Sequence, residues 1–92
     1  MKDIDKLHEE LMENPAYRAE YEATRDDYDL QRALIKIRTE SNLTQAQLAT
    51  KTGIRQSNIS RIETGSCKPD LDTLQAYAKG CGKRLAFEFV EA

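Results

Sequence analysis

Apolar residues recur at helical spacing through most of this chain and at strand spacing only near its end. Ile4, Leu7 and Leu11 draw a narrow apolar stripe along an otherwise charged segment, which predicts a helix over 3–13 whose stripe must be covered by something. Asn14-Pro15 ends that helix and opens another, since proline at a first helical position gives up only an N–H that has no intrahelical partner. Tyr17 and Tyr21 then share a face. From Thr24 or Asp26 a longer helix is expected to run to about Ser41–Asn42, with acids in its first turn and Leu30, Leu34 and Ile37 as its inward stripe. Thr44 with Gln47 three residues on is a capping box, so a short helix should cover 45–51. Gly53 turns the chain, a second short helix over 56–63 buries Ile59 and Ile62, and Gly65 caps it, because glycine takes a positive φ without steric penalty. Pro69 and Asp70 open a last helix with Leu71, Leu74 and Ala78 inward, closed by Gly80 and Gly82.

Beyond that helix the period changes to two. Leu85, Phe87 and Phe89 alternate with Ala86, Glu88 and Val90, which predicts a strand from Arg84 to Val90. A lone strand leaves its backbone groups unpaired, so its expected partner is the same strand of a second copy, in preference to a sheet on another protein. Leu85, Phe87 and Phe89 are therefore the candidate dimerisation residues.

Ninety-two residues allow one compact domain. A chain of this size buries about 60–65% of its unfolded surface, too little for a deep two-lobed cleft, and a binding module fits better than an enzyme. With 39% hydrophobic and 33% charged residues it lies above the disordered range. No stretch approaches the roughly 18 apolar residues of a membrane span, and Met1 to Glu10 is acidic without an apolar core, so a soluble, cytoplasmic protein with no membrane partner is expected. Cys67 and Cys81 have no CxxC spacing and His8 is the one histidine, so neither a metal nor a cofactor site is expected, and both cysteines read as reduced and semi-buried.

The net charge of −2 hides an asymmetry. Residues 1–29 carry ten acids against four bases, whereas residues 30–69 carry seven bases against two acids. A basic middle suits a polyanion and an acidic leader is repelled by one, so two surfaces for two partners are expected. The acids Asp26, Asp27 and Asp29 sit at a helix start, where they complement the dipole. No base, metal set or phosphate loop accompanies them, and no catalytic residue is assigned.

The run Leu43-Thr-Gln-Ala-Gln-Leu-Ala-Thr-Lys-Thr-Gly-Ile-Arg-Gln-Ser-Asn-Ile-Ser-Arg-Ile-Glu-Thr-Gly65 joins two short helices through a glycine corner. Ala49 lets them approach, Ile54 plugs the angle, and the polar residues face outward, a helix-turn-helix arrangement. This run resembles the phage-repressor (Cro/C1, or Xre) family of DNA-binding domains, and the flanking helices extend the resemblance to about residues 27–80. The resemblance implies that the second helix enters the major groove, with Gln56, Ser57, Asn58, Ser60 and Arg61 near bases or flanking phosphates. It also implies that Gln45 bonds a phosphate from an interface that takes in Thr44. Chemistry agrees: Gln and Asn can bond adenine bidentately and Arg can bond guanine, each worth about 1–3 kcal/mol of discrimination. Arg55 stands where the recognition helix usually begins with a Ser or Thr cap, whose loss costs about 1 kcal/mol. A DNA contact would explain it; the alternative is an ordinary solvated arginine. Lys68, in the following loop, suits a phosphate better than a base.

The acidic leader containing Asn14-Pro-Ala-Tyr-Arg-Ala-Glu-Tyr, the central domain and the Gly82-Lys-Arg-Leu-Ala-Phe-Glu-Phe tail are together similar to antitoxins of the HigA type. That similarity implies a small basic toxin partner, a HigB-like ribonuclease, gripped by Leu7, Leu11, Tyr17 and Tyr21 with Glu10 and its neighbouring acids as electrostatic complement. The alternative is a leader that only packs on its own domain. The expected architecture is all-α: a five-helix phage-repressor-like helix-turn-helix domain with N-terminal leader helices and a C-terminal β-strand that pairs between chains. Residues 1–25 form the leader, 26–82 the DNA-binding domain and 83–92 the dimerisation strand. The function implied is an antitoxin that, as a homodimer, also binds double-stranded operator DNA to repress its own operon. The alternative is a stand-alone repressor of the same family with no toxin.

Overall fold

The computed structural model describes residues 2–23 and 25–91, with side chains described for 6–20 and 25–91. Its helices are α1 (Lys2–Leu11), α2 (Pro15–Ala23), α3 (Arg25–Glu40), α4 (Gln45–Thr52), α5 (Gln56–Thr64) and α6 (Leu71–Gly80). Their ends are set by local chemistry. Asn14 Oδ1 accepts the N–H groups of Ala16 and Tyr17 at 2.9 and 3.3 Å, capping α2 ahead of Pro15. Thr44 and Gln47 close the capping box of α4 in both directions, and Asp70 Oδ1 accepts the Thr73 N–H at 2.8 Å to start α6. Gly53 and Gly65, at φ 78° and 85°, adopt the left-handed conformation that ends α4 and α5.

Helices α3 to α6 enclose the core. Leu34, Leu48, Ile59, Ile62, Tyr77 and Cys81 are buried together, with Leu30, Ile37, Leu43, Ala49, Ile54 and Leu74 packed against them. Helix α4 lies against both α5 and α6, and α3 lies across α5. The α4–α6 contact depends on Gly80: a Cβ there would come within 2.5 Å of Thr52 Cγ2 and 2.8 Å of Leu48 Cδ1. In the leader, α1 meets α2 through His8, whose Nδ1 is 3.1 Å from the Tyr17 hydroxyl and whose ring meets the tyrosine edge-on.

Three expectations are corrected. No strand forms among the described residues, and 83–91 has no regular structure. Alternation specifies a strand only where a ladder exists to pair with it, and a domain made of helices offers no sheet edge. Leu85 is half-buried while Phe87 and Phe89 are exposed, so the pairing strand expected at these residues is withdrawn. The expected five-helix domain is instead a four-helix body, α3–α6, preceded by two leader helices. Leu71, expected inward, is 49% exposed, because α6 turns Leu74, Tyr77, Ala78 and Cys81 to the core and places its first residue outside that arc. Ile4 and Tyr21 have side chains outside the described set. Among the described residues no helix is long and apolar enough to cross a membrane, and no group of three or more metal-ligating side chains is assembled.

Candidate nucleic-acid interface

Helix α5 presents two chemically distinct faces. Ile59, Ile62 and Glu63 turn inward, leaving Gln56, Ser57 and Arg61 exposed on the opposite side, with Asn58 and Ser60 half-buried on its flanks. Arg55, at the N-cap with φ −62° and ψ 139°, makes no side-chain cap bond and is exposed, so its guanidinium is available to a ligand. At the other end of α5 the Gly65 turn folds the chain back. Ser66 and Cys67 donate their N–H groups to the Arg61 carbonyl at 2.9 and 3.2 Å, and Lys68 follows that turn. Lys68 is exposed, and its Nζ lies 3.6 Å from Asp27 Oδ2 at the head of α3. Thr44 is exposed, with its hydroxyl occupied as the cap of α4.

What orients α5 is a buried polar network that sequence reasoning missed. Glu63, only 6% exposed, receives Arg38 Nε on Oε2 at 2.8 Å and Arg38 Nη2 on Oε1 at 2.9 Å, a two-pronged ion pair. Arg38 Nη1 donates to the Leu43 carbonyl at 2.9 Å, Gln45 Nε2 donates to Glu63 Oε1 at 3.1 Å, and the Tyr77 hydroxyl lies 2.6 Å from Oε2. One carboxylate thus ties α3, the α3–α4 turn, α4, α5 and α6 together. Burial pushes the Glu63 carboxyl up, but the hydrogen bonds from Arg38, Tyr77 and Gln45 outweigh it and hold the group below its ordinary value. Its hydrogen bond to Glu63 raises Arg38, while burial first and the neighbouring carboxylate second push the Tyr77 hydroxyl far up.

The network changes the reading of three residues. Gln45, expected to reach a phosphate, has its amide nitrogen committed to Glu63, which fixes the side chain at the start of α4. Arg38 and Glu63, counted among the charges of the basic middle, cancel each other in the interior, so the exposed bases of residues 30–69 are Lys36, Lys51, Arg55, Arg61 and Lys68. One signal was present in the sequence: Glu63 falls next to Ile62 and four residues after Ile59, on the apolar stripe, where an acid needs a buried donor. In the leader, Leu7 and Leu11 are 55% and 37% exposed and Glu10 is exposed, whereas Tyr17 is half-buried against His8.

Two short helices joined by a glycine corner, with the second held by its inner face and polar outside, define a helix-turn-helix protein. A helix-turn-helix family model matches residues 34–87, more than half of the chain. The chain belongs to that family, of the Cro/C1 type. It is similar to Antitoxin HigA1 of Mycobacterium tuberculosis, in strains CDC 1551 / Oshkosh and H37Rv, at 32% identity over 79 residues, covering 86% of this chain and 53% of the relative. An uncharacterised HTH-type transcriptional regulator of Haemophilus influenzae is 40% identical over 53 residues, 58% of this chain and 54% of that protein. The chain spans about half the length of these relatives. No solved structure matches it significantly.

Proposed function

We propose that this protein is an antitoxin that binds operator DNA through the outer face of α5 and neutralises a ribonuclease toxin through its acidic leader. Its chemistry is binding and not catalysis. On the DNA side we assign Gln56, Ser57 and Arg61, exposed on a helix whose inner face is bonded through Glu63, and to the same interface Arg55, Lys68, Thr44, Gln45, Asn58 and Ser60. A homodimer placing two such helices about 34 Å apart would read a palindrome with one turn between half-sites.

The observation that favours an antitoxin over a plain repressor is the reach of the HigA1 likeness. A match covering 79 of 92 residues necessarily includes α2, whereas the likeness to the transcriptional regulator needs only a domain's length. Leu7 and Leu11, exposed among acids that include Glu10, supply apolar anchors and a negative field for a basic partner. Tyr17 and Tyr21 belong to the same assignment.

The test is affinity capture of the chain from its native cells with and without nuclease. The expected result is a stoichiometric small basic protein that survives nuclease and arrests growth when expressed alone but not together with this chain. The double variant Gln56→Ala/Arg61→Ala should lose binding to the DNA upstream of its own gene and keep that growth rescue. Recovery of DNA with no protein partner would reduce the reading to a stand-alone repressor.

A further inference from the structure

Lys68, the phosphate contact assigned to the loop after α5, already has a counter-charge. We propose that Asp27 is a built-in brake on DNA binding, competing with a backbone phosphate for the Lys68 ammonium. The inference rests on the DNA-binding reading above.

The backbone that carries each charge is fixed by its surroundings. Lys68 follows the turn in which Ser66 and Cys67 fold back onto the Arg61 carbonyl, and Pro69 restricts the backbone immediately after it. Asp27 lies in the first turn of α3, whose Leu30 packs on the core and whose Leu34 is buried in it. The two charged groups lie 3.6 Å apart. Their side chains are 84% and 47% exposed, so the pair is wet, weak and open to exchange. A phosphate arriving at the end of α5 must displace Asp27 from Lys68 and approach a carboxylate well inside the screening length of about 8 Å. An exposed pair of this kind is worth about a two- to five-fold change in equilibrium. That makes it a brake and not a lock.

The experiment titrates the 92-residue chain onto a random-sequence duplex of about 30 base pairs by fluorescence anisotropy, between about 50 and 200 mM NaCl, conditions under which phosphate contacts dominate. Asp27→Asn should tighten binding about two- to five-fold and steepen the salt dependence by about one released counterion. Asp26→Asn, which removes the same charge from the neighbouring exposed position, should give a smaller gain. In a Lys68→Gln background the Asp27→Asn gain should disappear. Equal gains from both aspartates, a gain that survives Lys68→Gln, or no gain at all would each overturn the brake while leaving the DNA-binding reading in place. Failure of the unaltered chain to bind the duplex at low salt would overturn both.

Discussion

The leader and the four-helix body are both rich in charge, yet among the described residues every buried side chain lies in the body. None of the described leader side chains is buried, and Leu7 and Leu11 stand in solvent. In the body, by contrast, Leu48, Ile59 and Tyr77 are completely shielded, and the buried carboxylate of Glu63 is fully bonded. The contrast teaches how a small domain frees a surface for recognition. Because α5 is fixed from its inner side, the side chains of Gln56, Ser57 and Arg61 are left exposed. Leu7 and Leu11 are apolar and exposed, which is why we assign them to a partner.

The comparison breaks first at Glu63. Glu63→Ala removes the counter-charge of Arg38, whose side chain is 14% exposed, and strips a partner from both Tyr77 and Gln45. Breaking a buried pair from one side costs about 3–5 kcal/mol, which should appear as a large drop in the urea midpoint. A loss below about 1 kcal/mol would mean that apolar packing alone orients α5.

A smaller effect of the same network should appear with pH. The Glu63 carboxyl is lowered in the folded chain, so its contribution is present above the ordinary carboxylate range and is lost as pH falls through and below about 4. Tyr77 is shifted the other way, by burial and by Glu63, so its contribution is complete below the unfolded tyrosine value of about 10 and declines as pH rises beyond it. Asp70, lowered by its cap bond to Thr73, acts in the same direction as Glu63. Melting temperature against pH should therefore form a plateau with an acid and an alkaline shoulder, and the acid shoulder should shrink in Glu63→Gln. An acid shoulder unchanged by that variant would assign it to other carboxylates.

The smallest expected change in stability sharpens the comparison from the leader's side. Leu7→Ala should alter the unfolding free energy by no more than about 0.5 kcal/mol, as exposed substitutions do, while weakening capture of the proposed toxin partner. A cost of 2 kcal/mol or more, the range of a buried leucine, would show that the leader packs on its own domain after all.

Helix boundaries were legible almost to the residue because they are written in neighbouring side chains. Thr44 finds Gln47 within one turn, Asp70 finds Thr73, and Gly53 and Gly65 need only their own backbone freedom. The outward set on α5 was legible for a similar reason: once Ile59 and Ile62 define the inner face, Gln56, Ser57 and Arg61 must lie on the other. The C-terminal pattern misled because alternation reports a suitable surface for a sheet, not the existence of one. Leu71 misled because a hydrophobic first turn can lie outside the arc that a helix presents to its core.

Short-range chemistry thus dictated the order of the helices, their caps and the polar outer face of α5, since each depends on residues within a turn or two of one another. Packing alone settled the use of Glu63, whose partners Tyr77, Gln45 and Arg38 lie 14, 18 and 25 residues away, and the pairing of Lys68 with Asp27. The reason is physical. Hydrogen bonds within a helical turn follow from backbone geometry, whereas a buried carboxylate finds its donors only after several helices have closed around it.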